Sequence, residues 1–204
     1  MLFRSGSLVL ERVAHSAMRA RKSSGLIVAT SIGEDDDAVE RWCSSIVVPC
    51  FRGPLDDVLE RVSSAAAFLG FDAFVRVCAD SPLIDSALID HAIELMRSEP
   101  CDVVTNVHPR RFPKGQSVEV VTLDAAGRLH AESLSEAERE HVTVGFYARP
   151  NDYAITCFEP DRHIEGLPSV VVDTPEDFQR IERMIQDAGP EADARRWWQW
   201  IEAA

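Results

Sequence analysis

Several patterns that would announce a chemistry are missing from this chain of 204 residues. It contains no GxxxxGK[ST] and no GxGxxG, which excludes a P-loop nucleotidase and a dinucleotide-binding enzyme built on a glycine-rich turn. No GxSxG marks a hydrolase nucleophile, and the six histidines form no HExxH zinc site. Cysteine is sparse and unpatterned. Cys43, Cys50, Cys78, Cys101 and Cys157 are odd in number, with no CxxC and no histidine at zinc-finger spacing. Free, mostly buried thiols in a reducing compartment are therefore expected, and a disulfide or zinc framework is not. No run approaches the ~20 apolar residues of a membrane span, and the opening MLFRSGSLVLERV has no apolar stretch long enough for a signal peptide. A cytoplasmic protein with no membrane partner is the expectation.

Positive charge is also scarce. Lys and Arg number 21 against 34 Asp and Glu, a formal net charge of -13, and such a surface repels polyanions. Nucleic acid is excluded as an expected partner. A chain this acidic that handled a nucleoside triphosphate would need a divalent cation such as Mg²⁺ to screen the phosphates.

What is present reads as one globular domain over residues 1–204, with 46% hydrophobic and 27% charged residues. Short apolar runs alternate with segments of helical period, the pattern of βαβ units and a mostly parallel sheet. Strands are expected at Leu26–Thr30, Ile46–Cys50, Ala73–Cys78 and Asp102–Thr105, continuous in apolar character as strands covered on both faces are. Ser117–Leu123 alternates like an antiparallel or edge strand, and Tyr153–Phe158 and Ser169–Val172 are further short strands. The sheet is thus expected to be mixed. Leu55, Val58, Leu59, Val62, Ala65, Ala66 and Leu69 trace one helix face. Asp85 is placed to cap a helix over Ser86–Arg97, and Thr174-Pro175-Glu176-Asp177 opens another. The triplet Asp35-Asp36-Asp37 suits the positive end of a helix better than a metal site. A last helix carrying Trp197, Trp198 and Trp200 is expected to pack its aromatic face on the body or on a second subunit.

In open α/β sheets ligands collect beyond the carboxyl ends of the strands. Two carboxylates stand there. Asp80 follows the strand ending at Cys78, and Asp173 follows Val172. On neighbouring strands they would converge on a hard cation, Mg²⁺ with substrate phosphates. Each also has a plain structural use, Asp80 in starting a turn before Ser81-Pro82 and Asp173 in helping cap the next helix. His141 sits in a dense polar cluster, which suits either a solvated helix surface or chemistry.

Taken in order, LIVATS (26–31), FRGPLDDVLER (51–61), VRVCADSPLID (75–85), Asn106, FPKG (112–115), VEV (118–120), REHVT (139–143) and VDTPEDF (172–178) resemble the cytidylyltransferases of the spore-coat-polysaccharide type, relatives of the acylneuraminate and Kdo enzymes that make CMP-sugars. The resemblance implies a GT-A-like nucleotidyltransferase fold, an α/β domain with a mixed, mostly parallel sheet flanked by helices. It implies transfer of CMP from CTP to a sugar or sugar acid with loss of pyrophosphate, in cell-surface polysaccharide biosynthesis. Thr30 and Ser31 would lie near the base or ribose, Arg52 and Arg76 near the ligand cleft, and Asp80 and Asp173 would carry Mg²⁺ at the reacting centre. Asn106, Lys114 and Glu119 would line the sugar side, and Arg139 and His141 would meet an acidic acceptor.

That family opens with an apolar strand and a loop of the type ARxxSxRLPGK, whereas Ser5-Gly6-Ser7-Leu8-Val9-Leu10-Glu11-Arg12-Val13 resembles the GKPLLERV segment after it, with Ser7 in place of the lysine. The resemblance therefore implies that the phosphate-binding loop and a central strand are missing. A start placed too far downstream, a truncation that abolishes catalysis, and a partner or homodimer that completes the sheet all stay open. A non-catalytic interaction protein and a nucleotide-sugar glycosyltransferase remain the alternatives.

Overall fold

A computed structural model describes residues 7–160 and 169–189; the Trp-bearing helix expected near the carboxyl end lies outside them. Helix α1 (Val9–Met18) opens with the Leu8 N–H donating to Glu11 Oε2 at 3.0 Å. Strand β1 (Val28–Ser31) follows, then a 3-10 turn at Glu34–Asp36 and α2 (Asp37–Ser45). The acidic triplet opens a helix, as its charge suggested.

Strand β2 is Cys50–Gly53, four residues beyond the expected start at Ile46. Ile46 ends α2, Val47 takes a positive φ of 59°, and the Val48 N–H returns to the Cys43 carbonyl, so the apolar run IVVP is spent on a helix exit. Helix α3 (Val58–Phe68) is capped by Asp57, which accepts from the Glu60 N–H at 2.9 Å. Strand β3 (Ala73–Arg76) leads to α4 (Ser86–Ser98), where Asp85 caps the Ala87 N–H as expected. Strands β4 (Val103–Thr105) and β5 (Glu119–Thr122) are followed by α5 (Leu123–His130), α6 (Glu136–Glu140), α7 (Val144–Tyr147) and β6 (Ile155–Cys157). Helix α8 (Pro175–Ala188) has the expected Thr174 cap, Pro at its start and a reciprocal bond from Asp177.

The strands form two sheets rather than the one expected. β1 and β2 pair in parallel, and β3-β5-β4-β6 make a separate mixed sheet in which β5 is antiparallel to both neighbours while β6 runs parallel to β4. β3, β4 and β6 thus share one direction. Helix α3 contacts β1, β2 and β3 and links β2 to β3, packing on both sheets. The expected strand at Ser169–Val172 is instead an extended segment held by two backbone bonds, Val170 N–H to the Lys114 carbonyl at 2.8 Å and Val172 N–H to the Asp80 carbonyl at 2.9 Å.

Period-2 alternation divides the core. Val104 and Val120 face Ile89, Ala92 and Phe158, whereas Val103 and Val121 face Leu59, Leu129 and Phe146. Leu83, Val170, Ile181 and Met184 form a third cluster under α8. β4 is buried at every position and β5 at all but its last, while β1 and β3 are mostly half-buried. The thiols are all free, but only Cys43 is buried and Cys157 is exposed, so the expectation of mostly buried cysteines fails. No helix among the described residues is long and apolar enough to cross a membrane.

Gly115 locks the Val170 segment in place. Its φ is +97°, and a Cβ there would lie 2.7 Å from Val170 Cγ2 and 2.8 Å from the Val170 backbone. The Gly115→Ala variant should lose about 2 kcal/mol or more through strain and displacement of that segment, seen as a fall in Tm of roughly 5 °C in a thermal melt.

Candidate active site

The carboxyl edge of the sheets gathers most of the predicted residues. β1 ends at Thr30 and Ser31, β2 runs through Arg52, β3 ends at Arg76 with Asp80 beyond it, and β4 is followed by Asn106. β5 is antiparallel, so its first residue, Glu119, stands at that same edge, paired in register with Arg76 and Thr105.

Asp80 and Asp173 come together through the backbone. The Val172 N–H donates to the Asp80 carbonyl at 2.9 Å, which puts the Asp173 residue one step from the Asp80 loop. The Ser81 hydroxyl donates to Asp80 Oδ1 at 2.8 Å, and Asp173 is exposed. The loop is braced from below by Gln116, 3% exposed, whose amide donates to the Leu83 carbonyl at 2.5 Å and accepts from the Asp85 N–H at 3.1 Å. No group of three or more His, Cys, Asp or Glu side chains suited to a metal occurs among the described residues. Two carboxylates on a shared edge do not make a closed cage. They suit an ion such as Mg²⁺, which keeps waters and takes its other ligands from substrate phosphates.

Glu119 is 3% exposed and fully engaged. Arg76 Nη1 donates to its Oε2 at 2.9 Å, and the Thr143 and Tyr147 hydroxyls donate to its Oε1 at 2.5 and 2.6 Å. The Tyr147 oxygen also lies 2.8 Å from the Thr105 hydroxyl, and its ring stacks on His108 at 4.5 Å between centroids. Burial, and then the adjacent Glu119 charge, push the Tyr147 phenol far above its ordinary range, so it is a neutral donor. Burial opposes the charge of Arg76, yet the neighbouring Cys78 and Glu119 outweigh it and keep the guanidinium protonated.

Other predicted residues hold the scaffold. Asn106, 1% exposed, donates to the Gln116 carbonyl at 2.7 Å and accepts from the Val118 N–H at 2.9 Å, fastening the 106–118 loop to β5. Arg52 donates to the Ser31 and Gly33 carbonyls and to Asp37 and Glu40, all at 2.7 to 2.8 Å, which staples β1 to α2. Asp36 receives the Ser31 N–H at 2.8 Å, and hydrogen bonds from the Ser31 and Thr30 hydroxyls hold its carboxyl below the usual range. Arg139 donates to Asp57 at 2.6 Å, tying α6 to the start of α3. Lys114 is exposed beside the Val170 segment, and His141, at the end of α6, is exposed and lines a cleft of about 840 Å³ together with Arg76, Cys78 and Ala79.

Thr143, Tyr147 and Gln116 escaped the sequence reading. REHVT drew attention only to its charged members, and Tyr147 lies 28 residues from Glu119 with no spacing to connect them. A cue was available in that Tyr147 is one of only two tyrosines.

The α/β layers with their mixed sheet, flanked by helices, make a GT-A-like nucleotidyltransferase fold. The solved structure of a cytidylyltransferase from Leptospira borgpetersenii shares this fold, with a TM-score of 0.84 at 24% identity over 89% of this chain and 76% of that one. The cytidylyltransferase family model matches residues 3–193, and the chain belongs to that family. It is 33% identical over 173 residues to the uncharacterized protein MJ1063 of Methanocaldococcus jannaschii, covering 84% of this chain and 70% of that protein. It is also 27% identical to the spore coat polysaccharide biosynthesis protein SpsF of Bacillus subtilis, covering 91% and 77%.

Two measurements test the network and its support. The Glu119→Ala variant strands the Arg76 cation and two hydroxyls and should cost about 3 kcal/mol in urea unfolding, whereas Glu119→Gln should cost less. Burial works against the charge of Asp57, but the Glu60 N–H and the Arg139 guanidinium outweigh it and hold the carboxyl below its ordinary value. A depressed carboxylate stabilises above its unfolded pKa near 4 and loses that contribution as pH falls through the folded value. The Asp57→Asn variant should be less stable by about 1 kcal/mol at neutral pH, the gap narrowing below about pH 4.

Proposed function

We propose that this chain transfers CMP from CTP to a hydroxyl of a sugar or sugar acid that feeds polysaccharide synthesis. The acceptor oxygen bonds to the α-phosphorus of CTP, the bond from that phosphorus to the bridging oxygen breaks, pyrophosphate leaves, and the hydroxyl proton passes to solvent. The observation that carries this reading is the Val172-to-Asp80 backbone bond, which brings the Asp173 residue next to the loop that carries Asp80. Membership of the cytidylyltransferase family supports the nucleotide.

Asp80 and Asp173 would hold Mg²⁺, which when bound screens the triphosphate and the departing pyrophosphate. The rest of the task is positioning and charge neutralisation, because phosphoryl transfer asks little covalent help of a protein. Gln116, bonded to the Leu83 carbonyl, would brace the loop that carries Asp80, and Gly115 leaves room for the Val170 segment that leads to Asp173. Lys114, exposed beside the Val170 segment, and His141 in the cleft suit an anionic acceptor. Free thiols and a nucleotide substrate suit the cytoplasm.

Thermal stabilisation by CTP, compared with ATP, GTP, UTP and UDP- or GDP-sugars with and without Mg²⁺, tests the assignment. CTP with Mg²⁺ should raise stability by up to about 3 kcal/mol at a hundredfold excess over Kd, and Asp80→Asn or Asp173→Asn should abolish the shift. Preference for a UDP- or GDP-sugar, or an equal response to every nucleotide, would overturn it.

A further inference from the structure

At the carboxyl ends of the strands much of the positive charge is already engaged. Arg52 meets Asp37 and Glu40, Arg76 meets Glu119, Arg139 meets Asp57, and Arg61 donates to the Pro54 and Leu55 carbonyls. The loop between β4 and β5 differs. From Asn106 to Val118 it carries Arg110, Arg111 and Lys114 and no Asp or Glu, on a chain whose net charge is -13. All three basic residues are exposed. Arg111 approaches Glu159 only to 3.7 Å, and Arg110 Nη1 donates to the Ser117 hydroxyl at 2.9 Å. Neither Arg110 nor Lys114 has a carboxylate partner among the described residues.

This loop is held in shape. Phe112, 5% exposed, roots it in the core against the Phe158 ring, and Val107 pairs with Arg110 across the turn at Pro109. The Asn106 side chain spans the base of the loop, and the His108 ring stacks on Tyr147. Its place beside the Asp80 turn is fixed as well. The Val170 N–H donates to the Lys114 carbonyl and the Val172 N–H to the Asp80 carbonyl. Donors two residues apart on an extended chain point the same way, about 7 Å from each other, so the Lys114 and Asp80 backbones lie side by side against that segment. Gln116 joins the two loops again through the Leu83 carbonyl and the Asp85 N–H. Burial pushes the Cys78 thiol up, while the Arg76 charge and, more weakly, the Arg110 charge pull it back. The Arg110 charge is thus felt two residues before Asp80.

We propose that Arg110 and Lys114 form an anion subsite that binds a carboxylate or phosphate carried by the acceptor sugar, Arg110 giving a two-pronged contact and Lys114 a point charge. The proposal rests on the reading of this chain as a cytidylyl transferase whose acceptor sits at this edge. A strongly acidic protein admits an anion only where local positive charge offsets its field, and this loop supplies it. Arg139, expected to meet an acidic acceptor, is bonded to Asp57 instead. Arg110 is therefore a specificity-determining residue that favours charged sugars over neutral ones.

Backbone amide NMR of the whole protein, titrated with glucuronate, glucose 6-phosphate and glucose, tests the subsite. At least one of the two charged sugars should shift the Arg110, Arg111 and Lys114 amides saturably, which also tells carboxylate from phosphate, and glucose should not. Arg110→Gln and Lys114→Gln should each weaken that binding roughly tenfold, and Arg110→Lys should weaken it less. Arg183→Gln, which removes an equal charge from the exposed face of α8, should leave it unchanged. CTP with Mg²⁺ then separates acceptor from nucleotide: the charged sugar should stay bound beside it, whereas displacement would show that the loop grips the triphosphate and would overturn the proposal. No shift with either charged sugar, an equal response to glucose, or undiminished binding in Arg110→Gln would overturn it too. Failure of CTP to shift any amide would count against the nucleotide assignment, while the anion subsite is judged on the sugar titrations, which are read without CTP.

Discussion

The reversed course of β5 is the constraint on which the candidate site depends. Because β5 runs against β3 and β4, its first residue lies where theirs end, and a glutamate there is carried into the interior at the carboxyl edge. A buried carboxylate is costly unless paired and hydrogen-bonded. Arg76, Thr143 and Tyr147 answer that requirement, and in doing so they fasten β3 and the segment around α7 to β5. The ordering propagates from there. The loop from Asn106 to Val118 is cross-braced by the Asn106 amide, Gln116 in the same loop holds the Asp80 turn, and Gly115 gives the Val170 segment room to pass.

Polar side chains near the edge thus divide into two kinds. Arg52, Asn106, Glu119 and Arg139 are consumed by partners within the protein, and their effect on a ligand is exerted through the shape they maintain. Asp173, Lys114 and His141 are exposed and Asp80 is half-buried, so these side chains remain within reach of solvent. A net charge of -13 makes the second group meaningful, since an anionic substrate reaches such a protein only where a cation or a local basic side chain offsets the field.

Much of the architecture was legible locally. The caps at Asp85 and Thr174 and the face of α3 from Val58 onward rest on contacts a few residues apart and appear as the sequence suggests. Leu55, by contrast, lies outside the helix and is exposed, and β5, though antiparallel as its pattern suggested, is an inner strand buried at all but its last position rather than an alternating edge. The apolar run Ile46–Cys50 misled, because β-rich composition does not reveal that a helix exit at Val47 will consume it. The candidate site was legible only as a set of residues. That Asp80 and Asp173 neighbour each other is fixed by a bond between residues 92 positions apart, counting from Val172 to Asp80.

The sequence by itself determined the α/β class, the positions of the long helices and the two acidic residues that end their segments, because period, capping and strand-end placement are properties of short stretches of chain. Only the tertiary structure decided that the strands separate into two sheets with a cleft between them, and that Arg52 and Asn106 serve the scaffold while Tyr147 and Thr143 hold Glu119. Those outcomes turn on which distant donors and acceptors satisfy one another once buried, and no local pattern encodes that pairing.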